Sequence, residues 1–229
     1  GLNFADDASL VHVEYENEFG DQFFPLCTIL TNHTQLECVS VAGFGAEVRW
    51  TIEVNGLVAE DMFTMSYATP AIASVECKVA GCGRLSGGES IVLSGSDLGS
   101  LLARVDATYG MSGTEFEATE CHVVSTSAIE CVTAPGVGQD LIWRVSVGGQ
   151  PALVSQDVTF SYFRTTIDYR LGAALTLKGG DELLMHVSND FTACAGCFFQ
   201  MTFNGVAVDA EVVNSTDLYA LPPTIQSVS

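Results

Sequence analysis

The 229-residue sequence predicts an all-β chain built from small sandwiches in tandem. Short apolar/polar alternations recur between Gly, Asn, Asp and Ser, as half-buried strands separated by turns require. No segment carries a 3.6-residue period capped at both ends, so little helix is expected. A block of cysteines, glycines and a tryptophan also occurs twice in the same order. It runs Cys27, Cys38, Gly43, Gly45, Trp50, Tyr67, and again Cys121, Cys131, Gly136, Gly138, Trp143, Tyr162. The spacing of about 93 residues is that of a whole small domain, not of a solenoid repeat.

The clearest strand is Val48–Val54, with Val48, Trp50, Ile52 and Val54 on one face and Arg49, Thr51 and Glu53 on the other. Ile142–Val147 repeats it one period later, so Trp50 and Trp143 are expected in equivalent core positions. Further strands are expected at Ser90–Ser94, Ala103–Thr108, Cys121–Ser125, Ile129–Thr133, Val158–Tyr162, Leu183–Val187 and Phe199–Phe203. The repeat divides the chain at 1–69, 70–163 and 164–229. Pro70 fixes the backbone where one unit hands over to the next, and so short a tether leaves neighbours little freedom. The first unit holds only the tail of the opening element that the second carries in full. Its opening strands and the closing strands of the third are thus expected to be missing, as in an internal piece of a longer protein.

Composition excludes several functions. Acidic residues number 28 against 8 basic ones, for a net charge of −20, and Lys78 and Lys178 are the only lysines. Nucleic acid and anionic membrane surfaces both require clustered cations that this chain lacks. No apolar run reaches the length of a membrane helix, so no membrane insertion is expected in this segment. Eight cysteines at regular spacings in loop-rich β sequence form a disulfide framework, which places the chain outside the cell or at its surface. Two glycosylation sequons, at Asn32 and Asn214, agree with that compartment.

No catalytic constellation is visible. His12, His33, His122 and His186 show no metal-ligand spacing. Gly81–Ser86 lacks the last glycine of a dinucleotide fingerprint and precedes a strand. Cys194-Ala195-Gly196-Cys197 has neither the helix start that redox chemistry uses nor two further zinc ligands, and reads as a structural disulfide. Glu14, Glu16 and Glu18 alternate and would share one strand face, with Asp6 and Asp7 nearby. A solvated acidic face is the simpler reading, and a Ca²⁺ site the sharper one, though no Asp-x-Asp-x-Asp-Gly loop supports it. Neither metal nor cofactor is expected.

In the middle unit, Gly87-Gly88 precedes a strand that ends in Gly95-Ser96-Asp97-Leu98. The pair Cys121 and Cys131 leads into Pro135-Gly136-Val137-Gly138, and a closing strand ends in Phe160-Ser161-Tyr162. This pattern resembles the IPT/TIG domain, an immunoglobulin-like β-sandwich. The first unit matches its later part, with Ala42 in place of the proline. The third is divergent and has no cysteine pair around Asp209 and Tyr219, where one would fall.

The resemblance implies tandem immunoglobulin-like sandwiches, stapled by Cys27–Cys38 and Cys121–Cys131, with Cys77–Cys82 and Cys194–Cys197 as further local pairs. It also implies a non-catalytic structural or adhesive role in a larger surface or filament-forming protein, including those of cilia and flagella. The partners it implies are other extracellular proteins, copies of the same chain, or glycans. A ligand-binding receptor ectodomain and accessory domains of a carbohydrate-active enzyme are the alternatives. The DNA-binding use of this fold is incompatible with the charge.

Overall fold

The computed structural model describes residues 4–59 and 63–164 in full, together with the backbone of short strands beyond them. A three-residue 3-10 turn at Ala8–Leu10, capped by the Asp7 carboxylate on the Ser9 N–H, is the only helical element among the described residues. The rest of the described residues are strand, turn or irregular loop.

The first set of strands is β1 (Val11–Glu16), β2 (Gln22–Phe23), β3 (Leu26–Thr31), β4 (Gln35–Val39), β5 (Val48–Val54), β6 (Leu57–Val58) and β7 (Phe63–Met65). It forms one sheet in the order β2-β1-β5-β6, with β7 also on β5, and a separate β3–β4 hairpin. The second set is β8 (Ala71–Cys77), β9 (Ser90–Ser96), β10 (Val105–Gly110), β11 (Phe116–Glu117), β12 (Thr119–Ser125), β13 (Ala128–Val132), β14 (Leu141–Val147), β15 (Gln150–Pro151), β16 (Leu153–Val154) and β17 (Thr159–Phe160). Here two sheets face each other, β11-β10-β14-β15 with β17 on β14, and β12-β13-β9-β8-β16. Further on, β18 (Ile167–Tyr169), β19 (Leu183–Val187), β20 (Met201–Phe203), β21 (Val206–Val208), β22 (Ala210–Val212) and β23 (Asp217–Ala220) form a sheet β18-β19-β23-β22 and a hairpin β20–β21. The sequons and pairs at Asn214, Cys194 and Cys197 lie outside the described residues.

The expected strands are present with shifted ends. Val105–Gly110 replaces Ala103–Thr108 because Ala103 closes a turn onto the Ser100 carbonyl. The strand expected over Val158–Tyr162 is reduced to Thr159–Phe160. The two sets correspond element by element, since β1 pairs β5 as β10 pairs β14, with Tyr15 opposite Trp50 and Tyr109 opposite Trp143. The hairpins β3–β4 and β12–β13 correspond too, with Leu30 bulged out of one and Val124 at the matching place in the other, which has a second irregularity between Thr119 and His122.

Alternation fixes the core of the middle sandwich. Leu141, Trp143, Val145 and Val147 point inward from β14, while Ile91 and Leu93 from β9 and Ile129 and Cys131 from β13 meet them from the opposite sheet. At about 25 cal/mol per Å² of apolar area buried, each such aliphatic residue contributes about 2 kcal/mol. The first set is less complete. Trp143 is 3% exposed, but Trp50, expected in an equivalent core position, is only half-buried. Its sandwich has a two-stranded hairpin where the middle one has a five-stranded sheet.

Candidate functional site

Two constructions stand out, a polar ring inside each sandwich and a joint between the two. The ring uses the tyrosine of the repeated block. Tyr162 Oη lies 2.6 Å from Tyr109 Oη and donates to the Ala134 carbonyl at 2.6 Å, while the Ala134 N–H donates to Tyr109 Oη at 2.9 Å. Each hydroxyl then donates once and accepts once, which satisfies two hydroxyls on otherwise apolar, buried rings. The first unit repeats the ring with Tyr15, Tyr67 and Val41, at 2.8 Å between hydroxyls, 2.8 Å from Tyr67 to the Val41 carbonyl and 3.1 Å from the Val41 N–H to Tyr15. Burial raises the Tyr67, Tyr109 and Tyr162 hydroxyls above the usual phenol range.

The ring explains the first glycine of each Gly-x-Gly. A Cβ on Gly136 would stand 2.7 Å from Tyr162 Oη and from Phe116 Cε1, and one on Gly43 would strike the Tyr67 hydroxyl. Tyr109 and Tyr15 also stack on Trp143 and Trp50, both at 4.4 Å between ring centroids. Both indole N–H groups are buried with no acceptor among the described residues.

The joint is assembled from residues about a hundred positions apart. Phe44, 2% exposed, leaves the first unit through the loop after β4 and seats on the β14–β15 turn, where Gly148 has φ +55. A Cβ on Gly148 would strike the Phe44 ring, so glycine serves both the left-handed backbone and the close approach. Alongside, the Arg104 guanidinium lies 4.7 Å over the Phe19 ring. The connecting segment is tied at both ends. Gln150, buried at 9% exposure, donates from Nε2 to the Tyr67 carbonyl at 3.2 Å. The Leu153 N–H donates to the Pro70 carbonyl at 2.8 Å, where β16 pairs in parallel with β8. Pro70 itself is fully buried.

A cleft of about 200 Å³ opens at this joint between Phe44, Tyr67, Pro70, Asp97, Thr126 and Gln150. It is smaller than the roughly 300–1,000 Å³ of an ordinary small-molecule site, and it has no nucleophile–base pair.

Cys27–Cys38, Cys77–Cys82 and Cys121–Cys131 are joined as disulfides. The first and third bridge strands of one hairpin, with Cα atoms 4.0 and 4.1 Å apart. Asn32 is exposed in the β3–β4 turn. Glu14 and Glu16 do share the outer face of β1, but Glu18 lies past its end, so three carboxylates do not align. No group of three or more His, Cys, Asp or Glu among the described residues could hold a metal ion. The Lys78 ammonium pairs bidentately with Glu130 at 2.8 and 2.9 Å and holds that exposed carboxyl below its usual range. Glu115 caps the β10–β11 turn through the Ser112 and Thr114 N–H groups, and hydrogen bonding to the Ser112 side chain first, with these backbone donors after it, lowers its pKa to about 2. These are turn and surface devices. No described helix is long and apolar enough to cross a membrane.

Sequence reasoning missed Tyr15, Tyr109, Phe44 and Gly148. The two tyrosines keep the spacing of the repeated block and could have been found from it. Phe44 and Gly148 carry no such signal, because only the relative placement of the two units brings them together.

Two facing sheets, antiparallel except where β16 joins β8 in parallel, a disulfide across one hairpin and an aromatic core define the class as an immunoglobulin-like β-sandwich. Residues 81–162 match the model of the IPT/TIG domain. No curated protein matches the chain. Among solved structures it is similar to the full extracellular region of plexin A4, domains 1 to 10, at 18% identity and a TM-score of 0.36, covering 99% of this chain and 18% of that one. A second plexin A4 extracellular structure, domains 1 to 8, gives 11% identity and a TM-score of 0.32, covering 95% and 28%. Domains 4–9 of the surface layer protein SbsC give 10% identity and a TM-score of 0.20, covering 94% and 38%. The chain spans well under half the length of each.

Proposed function

We propose that the chain is a non-catalytic extracellular segment in which sandwich units, divided at 69/70 and 163/164, act as rigid structural or adhesive modules of a larger protein. The joint is the observation that carries this reading. Phe44 against Gly148, Arg104 over Phe19 and the doubly tied 67–71 segment fix one sandwich on the next, as a spacer needs and as a flexible tether does not provide. Three disulfides favour an oxidising compartment, and the IPT/TIG match favours a role without catalysis. In the finer form of the proposal the modules belong to a surface assembly such as a ciliary or flagellar filament, for which two lysines and a net charge of −20 are the support.

Cross-linking of the parent protein in its native assembly tests it. Abundant links between these units and neighbouring copies are expected. A free monomer that binds a soluble ligand through this segment would replace the structural role by a receptor one.

A further inference from the structure

The cleft at the joint carries hydrogen-bond acceptors that the protein itself leaves unused. Gln150, 9% exposed, spends its amide donor on the Tyr67 carbonyl, and its Oε1 has no partner among the described residues. An amide oxygen held this deep is satisfied by water or by a ligand. Asp97 enters the same cleft just past β9, at φ +56, and its exposed carboxylate makes no ion pair or hydrogen bond with the described residues. Thr126 adds a hydroxyl from the β12–β13 turn that is likewise free of protein partners. The apolar part of the wall is Ala42 and Ala68, both exposed, with the half-buried Tyr67. A volume of about 200 Å³ excludes a drug-sized molecule but admits one long side chain.

This set of groups selects the kind of side chain. A lysine has three N–H donors, no acceptor, and an aliphatic stem that packs on apolar surface while its head stays at the polar rim. Arginine instead presents a flat fork that matches the two oxygens of one carboxylate, and the acceptors here come from three separate elements. Charge points the same way, since 28 acidic residues face 8 basic ones in the chain. Of its two lysines, Lys78 is already paired with Glu130, so a different protein is the natural donor. We propose that the cleft at the joint is a recognition site for a lysine side chain of an extracellular partner. The ammonium donates to Gln150 Oε1, the Asp97 carboxylate and the Thr126 hydroxyl, and the stem lies along Ala42 and Ala68. Because Ala42 and Ala68 belong to the first unit and the three acceptors to the second, the site exists only while the joint is closed. A bound lysine therefore holds it closed. The inference rests on the joint described above and names a partner for it.

An amide NMR titration of the 229-residue chain with Nα-acetyl-lysine methylamide tests this, with the norleucine and arginine analogues as controls. Saturable shifts confined to Ala42, Ala68, Gly99, Thr126 and the Gln150 side-chain amide are expected, with the weak affinity of a single side chain. The norleucine analogue should cause none, and the arginine analogue should bind at least about fivefold more weakly. Asp97→Asn keeps a residue that tolerates the left-handed backbone and should weaken lysine binding at least about fivefold. A nuclear Overhauser contact between the Phe44 ring and Gly148 in the same sample reports that the joint is formed. With that contact present, the absence of saturable shifts overturns the proposal and leaves the joint standing. Shifts spread over the acidic surface, equal binding of either control, or unchanged affinity in Asp97→Asn do the same. Loss of the Phe44–Gly148 contact in the unmodified chain overturns both.

Discussion

The hydroxyls of Tyr109 and Tyr162 lie 2.6 Å apart and close a hydrogen-bonded ring through the backbone of Ala134. The ring joins β10 to the loop after β13 and to the segment after β17 that closes the middle unit, and thereby ties the two sheets of the sandwich together. Tyr162→Phe removes both 2.6 Å bonds of the Tyr162 hydroxyl and leaves the Tyr109 hydroxyl proton and the Ala134 carbonyl only their longer mutual contact at 3.3 Å. It should cost about 1–3 kcal/mol in a denaturant melt of the middle domain. A loss below a few tenths of that would mean that the ring is incidental.

Gly136 has an ordinary backbone and a crowded neighbourhood, whereas Gly88 has φ +75 and nothing within 4 Å. Gly136→Ala should therefore destabilise by displacing the tyrosine ring, by about 1–3 kcal/mol, and Gly88→Ala by backbone strain alone. Combined with Tyr162→Phe, the Gly136 variant should be less than additive, since removing the hydroxyl relieves one of the close contacts of the methyl and leaves that with Phe116 Cε1. The Gly88 variant should be additive. Double-mutant cycles on thermal or urea melts separate the two.

The raised tyrosines give stability a pH dependence in the alkaline range. Burial keeps Tyr109 and Tyr162 neutral in the folded state, while in the unfolded chain a phenol ionises near pH 10. Above that pH the unfolded state binds fewer protons than the native one, so unfolding becomes easier as pH rises. Stability from this source should be fully present below about pH 10 and decline above it. Tyr162→Phe should flatten the decline in melts recorded from pH 8 to 11.

Replacing Cys121 and Cys131 together by Ala should remove roughly 2–3 kcal/mol, the loop-closure entropy of a ten-residue cross-link. Reduction should act on the wild-type chain in the same direction, and the double variant should be insensitive to the Cys121–Cys131 part of that effect. Peptide mapping without reductant should recover Cys27 with Cys38. Any other partner for Cys27 would contradict the hairpin pairing.

The legible and illegible parts of this molecule divide on a physical line. The paired cysteines, the strand around Trp143 and the turn glycines follow from local alternation and from the repeated block, because each acts within one hairpin or one strand. Tyr109 carried the same spacing signal as Tyr162, but an aromatic residue in a strand reads as ordinary core until its hydroxyl partner is placed. Trp50 was legible only in part, since its burial depends on a second sheet that is a lone hairpin in the first unit. The Phe44–Gly148 contact was not legible, because no pattern within either unit encodes how the units meet.

That contact makes the most direct test of the rigid-module reading. Residual dipolar couplings measured separately for residues 4–59 and 71–162 report whether the two sandwiches orient as one body. A single alignment tensor, shared in magnitude and axes, is the predicted result, with Phe44→Ala splitting it in two by removing a buried aromatic worth about 3 kcal/mol. Two tensors of clearly different magnitude in the unmodified chain would contradict the rigid joint and, with it, the mechanical role proposed for this protein.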